Sequence, residues 1–147
     1  MKRFRGRVIA PGTVTAPALV TRGEMDLCAS FRKVIRGGDK NASCADENNG
    51  ELFGKAMLGK ALCLPGTVGD HTGGMVLYCA CAAKKHPACL LFSQPIDAVA
   101  AAGAVLTSAW LDDVRMPVID NLGEAFLSCV ENGMTITVEE GGIVCVG

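Results

Sequence analysis

A glycine-rich segment between an apolar run and an alanine-rich run is the strongest constraint on how this chain folds. Residues 60–65, KALCLP, suit a short buried strand, and residues 65–74, PGTVGDHTGG, contain four glycines. About ten small and apolar residues follow. Lys84 and Lys85 close this run, as cations often do at a helix C-terminus, where they oppose the dipole. A strand, a glycine loop and a helix N-terminus in this order commonly bind anions through main-chain amides.

The remaining segments predict one compact α/β domain, since 147 residues is an ordinary length for a single folding unit. Pro17 lies inside a predicted strand and is expected at a sheet edge or bulge, because proline cannot donate to a ladder. The polar segment 36–50 is expected to be a solvated surface excursion. Strands are predicted at residues 3–10, 13–21, 88–92 and 117–120, helices at about 95–109 and 124–131, and a terminal hairpin from 134–138 to 141–146.

Charge and composition exclude several classes of function. The 14 basic and 15 acidic residues leave a net charge of −1, whereas nucleic-acid and membrane-surface proteins need a concentrated basic face. The apolar run behind the basic N-terminus is broken by Pro11 and Gly12, so it is too short for a secretory signal, and a cytoplasmic location is expected. No stretch approaches the roughly 20 apolar residues of a membrane span.

Eight cysteines raise the question of metal ligation or disulfides. Cys63, Cys89 and Cys145 lie inside apolar runs, where cysteine acts as a small buried hydrophobe. The closest pair, Cys79 and Cys81, is poorly spaced for zinc or cluster ligation on a helix. The sequence therefore predicts mostly buried thiols and no metal site within this chain.

The order of these segments resembles the aconitase X swivel domain family over residues 4–146. The resemblance is carried by GRVIAPG at 6–12, LFGKAMLGKALCLP at 52–65, the glycine loop ending at Thr72 and Gly73, PIDAVAAAGAV at 95–105, and MPVI at 116–119. It implies a single swivelling β/β/α domain over residues 1–147. In this fold a partly closed sheet or barrel is flanked by helices.

The resemblance also implies a function. Aconitase X proteins are hydro-lyases, and characterised members dehydrate cis-3-hydroxy-L-proline in bacteria or phosphomevalonate in archaea. The iron or iron–sulfur centre is expected in the large subunit, and the swivel domain closes over the substrate and contributes a loop serine. This chain would thus be the small subunit, without a cofactor of its own. Cis-3-hydroxy-L-proline is the preferred substrate.

The family loop reads Gly-x-Gly-Ser-x-x-Gly-Ser, and counting from Pro65 places Asp70 at the first serine position. Asp70 is the predicted catalytic residue, as a proton acceptor, although aspartate is also a favoured helix N-cap. His71 either contacts substrate or is merely exposed, and Trp110 lies either in the core or at a partner interface. The predicted substrate-binding residues are Thr67, Gly69, His71, Thr72, Gly73 and Gly74, the last at the second serine position.

Three alternatives remain open from the sequence. The chain could be the small subunit of a phosphomevalonate dehydratase. It could be a non-catalytic swivel module that binds a small anion or a protein, since the serine is absent. A swivelling phosphohistidine carrier would need a reactive histidine, and His71 at the glycine loop is the candidate.

Overall fold

The computed structural model describes residues 1–147 as eight strands and five helices. The strands are β1 (Lys2–Arg5), β2 (Arg7–Ala10), β3 (Val14–Val20), β4 (Ala61–Leu64), β5 (Cys89–Phe92), β6 (Val118–Asp120), β7 (Thr135–Glu139) and β8 (Ile143–Val146). The helices are α1 (Leu27–Ser30), α2 (Arg32–Arg36), α3 (Gly73–Ala82), α4 (Ala98–Trp110) and α5 (Glu124–Cys129). No helix here has the length and apolar character needed to span a lipid bilayer.

All eight strands form one sheet that nearly closes on itself. The strand order is β1-β8-β7-β3-β4-β5-β6-β2, so the two end strands are consecutive in the chain and are joined at Gly6. The Gly6 N–H donates to the Gly142 carbonyl at 2.9 Å. A Cβ at Gly6 would lie 2.3 Å from the Asp120 carbonyl oxygen, so only glycine fits where the chain changes partners. The result is a barrel-like sheet, as the sequence predicts.

Strands β3, β4, β5 and β6 run parallel, and their side chains alternate between two cores. In β4, Leu62 and Leu64 face the helices, whereas Ala61 and Cys63 face the barrel interior. Phe126 from α5 packs in the barrel core. A strand that is buried on both faces is apolar throughout its length, so the sequence KALCLP shows no alternation of apolar and polar residues.

The structure refines several predicted elements. The predicted strand 3–10 is divided into β1 and β2, which pair with opposite ends of the sheet. Pro17 lies in β3, an interior strand, but β4 begins to pair with β3 only at Ala18. The Ala18 N–H donates to the Met134 carbonyl beside β7. Because successive N–H groups of a strand point to opposite sides, the Pro17 nitrogen points away from β7. On that side β4 does not yet pair with β3, so the missing N–H of proline costs no hydrogen bond.

The polar segment 36–50 is only partly solvated. Ala42 and Cys44 are fully buried, and Asn49 donates to the Thr21 hydroxyl at 3.0 Å. The expected surface excursion is therefore wrong for its central residues, which pack in the core beneath the helices, and the Ala45 N–H donates to the Ser30 carbonyl at the end of α1. The short helices α1 and α2 were not predicted, because neither is long enough to show helical periodicity.

Candidate functional site

The glycine loop, residues 65–72, connects the carboxyl end of β4 to the N-terminus of α3. Two main-chain hydrogen bonds connect this loop to the segment that follows β3, the parallel neighbour of β4. The Met25 N–H donates to the Gly66 carbonyl at 3.1 Å, and the Val68 N–H donates to the Met25 carbonyl at 2.8 Å. The loop thus lies at the carboxyl ends of parallel strands, the usual place for a ligand in α/β sheets.

Thr67 anchors this loop to α4. Its side chain is buried and its hydroxyl donates to Asp97, the N-cap residue of α4. The other carboxylate oxygen of Asp97 accepts the Ala100 N–H at 3.0 Å. The hydroxyl of Thr67 is therefore used within the chain, and its contribution to ligand binding stays a prediction.

Three consecutive amides of the glycine loop have no acceptor within the chain. The N–H groups of Gly69, Asp70 and His71 make no hydrogen bond, and the residues themselves are exposed or half-buried. They precede α3, a ten-residue helix whose dipole places partial positive charge at this end. Free amides beside a helix N-terminus are suited to binding an anion, and the anion site expected from the sequence stays a prediction.

The Asp70 carboxylate makes the local turn that starts α3. It accepts the Thr72 N–H at 3.0 Å, and its Oδ1 lies 3.2 Å from the Thr72 hydroxyl. This main-chain hydrogen bond, followed by the nearby Cys28 thiol, lowers the pKa of Asp70 below its ordinary value. Asp70 is therefore ionised at neutral pH and is a weaker base than an unperturbed carboxylate.

Two further residues lie at this site that the sequence analysis did not single out. Cys28 Sγ lies 3.1 Å from the Thr72 hydroxyl, and burial raises the pKa of this thiol, which stays protonated at neutral pH. Ligand atoms of Asp26, Cys28 and Asp70 lie within 4.8 Å of one another. Nothing local in the sequence indicates this cluster, because it forms only when the β3–α1 and β4–α3 connections meet.

The donor set of this cluster does not fit an iron–sulfur centre, which needs several thiolates rather than one thiol between two carboxylates. Each carboxylate already accepts a main-chain N–H: Asp26 caps α1 by accepting the Ala29 N–H at 3.1 Å, and Asp70 accepts from Thr72. Asp26 thereby caps α1, and Asp70 shapes the turn at the end of the glycine loop.

His71, Gly73 and Gly74, where the loop meets α3, have different surroundings. His71 is exposed and borders a groove between α3 and α4. Gly73 is buried beside Leu27, where a Cβ would make an ordinary 3.5 Å contact. Gly74 faces α4, and a Cβ there would lie 2.2 Å from the Val99 carbonyl oxygen. Gly74 therefore allows the two helices to touch, while its role in substrate binding stays a prediction.

A nearly closed mixed sheet with helices over its parallel strands and an exposed glycine loop at their carboxyl ends defines a swivelling β/β/α domain. The family model named aconitase X swivel domain matches residues 3–146, and the chain belongs to that family. The predicted fold class and family are confirmed. No curated protein matches the sequence.

Solved structures share the fold, among them the following two. Aconitase X from Thermococcus kodakaraensis, in its holo-form, has a TM-score of 0.81 at 20% identity; the alignment covers 100% of this chain and 99% of that one. The solution structure of a UPF0107 protein has a TM-score of 0.78 at 22% identity, over 99% of each chain. Membership of the family indicates association with a large aconitase X subunit.

Proposed function

We propose that this chain is the small subunit of an aconitase X-type hydro-lyase that dehydrates a hydroxylated acid. The observation that carries the proposal is the row of free amides at Gly69, Asp70 and His71, at the exposed N-terminus of α3. These groups suit the carboxylate of an acid substrate. Family membership supports the pairing with a catalytic subunit, and the Thermococcus chain of matching length supports a separate small subunit.

The charges beside the amides favour cis-3-hydroxy-L-proline over phosphomevalonate as the substrate. Asp70 belongs to the loop and Asp26 lies close to it, and Asp70 is held in its ionised form. A zwitterionic amino acid presents a carboxylate to the amides and an ammonium to these aspartates. A phosphate would place further negative charge against both carboxylates, which costs free energy at short range.

The metal or cluster belongs to the proposed large subunit. Bound there, it would supply Lewis-acid assistance to the departing hydroxyl. This chain would hold the substrate carboxylate with the loop amides and exclude water when it closes over the site. Asp70 is the proposed proton acceptor, and its competing role is to shape the helix start through Thr72.

Two substitutions at Asp70 separate these roles. Asp70→Asn keeps an oxygen that can accept the Thr72 N–H, but its neutral amide cannot act as a base. Asp70→Ala loses both the hydrogen-bond acceptor and the base. If Asp70 is the base, both variants lose kcat by at least about 100-fold. If it only shapes the loop, Asp70→Asn retains turnover and Asp70→Ala lowers both turnover and stability.

The deciding experiment is co-expression of this chain with the large aconitase X subunit of the same genome, followed by dehydration assays. Turnover of cis-3-hydroxy-L-proline that requires both chains is the expected result. Turnover of phosphomevalonate alone would reassign the substrate. A stable homo-oligomer without dehydratase activity in any pairing would favour a non-catalytic module, and phosphorylation of His71 by a phosphoenolpyruvate-linked donor would favour a carrier.

A further inference from the structure

An apolar groove of about 360 Å³ runs between α3 and α4 and begins beside the glycine loop. Met75 and Trp110 stand on its rim, 71% and 66% exposed, and Leu106 is 38% exposed. Its floor is made by Gly74 and Gly103, where the helices approach too closely for any side chain. The groove therefore exists because glycines occupy the helix crossing.

The exposed apolar side chains around this groove form one continuous patch and are not scattered singly over the surface. Tyr78 packs edge-on against Trp110, with ring centroids 6.1 Å apart, so the aromatic rim is partly preorganised. No Asp, Glu, Lys or Arg side chain lines the groove. Single exposed apolar residues are ordinary, but a contiguous uncharged patch with aromatic residues is typical of a protein interface.

We propose that this α3–α4 groove is a docking surface for the catalytic large subunit, which inserts an uncharged, apolar side chain between Met75 and Trp110. The inference rests on the proposed function, because that function brings the large subunit over the glycine loop. Met75 lies within one helical turn of the loop and points to solvent. A protein surface that covers the amides of Gly69 and His71 must also meet the mouth of the groove.

A second copy of this chain fits the groove less well. A two-fold interface places the same surface of both copies face to face. With the axis beside the glycine loop, such an interface would bring the Asp26 and Asp70 carboxylates of each copy toward those of the other, where like charges repel. A small acid substrate fits poorly too, because the groove offers it few polar partners.

Trp110 is the only tryptophan in the chain, which provides a specific probe. The small subunit is labelled with 5-fluorotryptophan and titrated with the large subunit while its ¹⁹F resonance is followed. We expect the resonance to shift with complex formation and to become protected from a soluble paramagnetic quencher. Association is measured in parallel by analytical ultracentrifugation, and dehydration at saturating large subunit.

Two substitutions with matched controls test the energetics. Trp110→Ala should weaken association at least tenfold, whereas Phe53→Ala, another exposed aromatic residue outside the groove, should change it less than twofold. Met75→Glu should weaken association by placing a charge in the groove, whereas Val105→Glu, on α4 but outside the groove, should not. Circular dichroism confirms that each variant is folded.

The outcomes separate this inference from the proposed function. An active complex in which the Trp110 resonance is unmoved and Trp110→Ala associates normally overturns the groove as the docking surface and leaves the hydro-lyase function intact. A Trp110 resonance that shifts with the concentration of the small subunit alone assigns the groove to self-association and also overturns the inference. The absence of any complex removes both proposals together.

Discussion

Replacement of Gly74 by alanine tests the helix crossing that positions the glycine loop. A Cβ at this position would lie 2.2 Å from the Val99 carbonyl oxygen and 3.1 Å from the Gly103 nitrogen. Ordinary contacts begin near 3.4 Å, so α4 would have to move away from α3 by about 1 Å. The obstructing atoms belong to the backbone of a 13-residue helix, which cannot turn aside as a flexible side chain would.

Overpacking of this kind costs about 1–3 kcal/mol, and a clash with backbone belongs at the upper end. Alanine is intrinsically better than glycine inside a helix by about 1 kcal/mol, which offsets part of the loss. Gly74→Ala is therefore expected to lower the free energy of unfolding by about 2 kcal/mol, with the gain in helix propensity already included.

Gly73→Ala is the matched control, one residue earlier in the same helix. Its Cβ would meet Leu27 Cδ1 at 3.5 Å, an ordinary contact, so the variant should be neutral or more stable by up to about 1 kcal/mol. The two variants should thus differ by about 2–3 kcal/mol, or about 1–1.5 M in urea midpoint for an m-value near 2 kcal/mol/M. Equal midpoints for the two variants would refute the close crossing.

Three further predictions concern other parts of the chain. Arg7→Ala should lower the urea midpoint, because the fully buried Asp120 carboxylate loses the guanidinium that donates two hydrogen bonds to it. Arg3→Ala, which removes an exposed ion pair, should change the midpoint little, and equal effects would contradict this ranking. By NMR titration Asp70 should have a pKa below that of an ordinary aspartate, since the Thr72 N–H at the start of α3 favours its ionised form. Its contribution to stability is then present above the unfolded-state pKa and is lost as the pH falls through the folded-state pKa. A water-soluble thiol reagent should modify the exposed Cys79 first in the native protein, with all eight thiols reacting in urea; slow labelling of Cys79 would count against its position.

Local pattern predicted the elements around the site well. The apolar run before Pro65, the glycine loop and the helix closed by lysines correspond to β4, the loop and α3, because each signal is contained in a few adjacent residues. The family resemblance supplied the closed sheet. Local signals could not show that one predicted strand divides at Gly6, since this depends on two strands more than 100 residues away.

The features that sequence reasoning missed all depend on contacts between distant segments. Cys28 meets Thr72 across 44 positions, and the Gly74–Gly103 contact joins two helices. A glycine in a helical run signals close packing only when its partner is known. The sequence left Trp110 between core and interface, and its 66% exposure excludes the core.

The way in which the sheet closes at Gly6 also affects how the isolated subunit behaves before assembly. The end strands β1 and β2 are only four residues long and carry Lys2, Arg3, Arg5 and Arg7. Short, positively charged edge strands offer a neighbouring polypeptide few main-chain groups to pair with, and this limits the association of separate chains strand by strand. We therefore expect the isolated chain not to associate with other copies through the edges of its sheet.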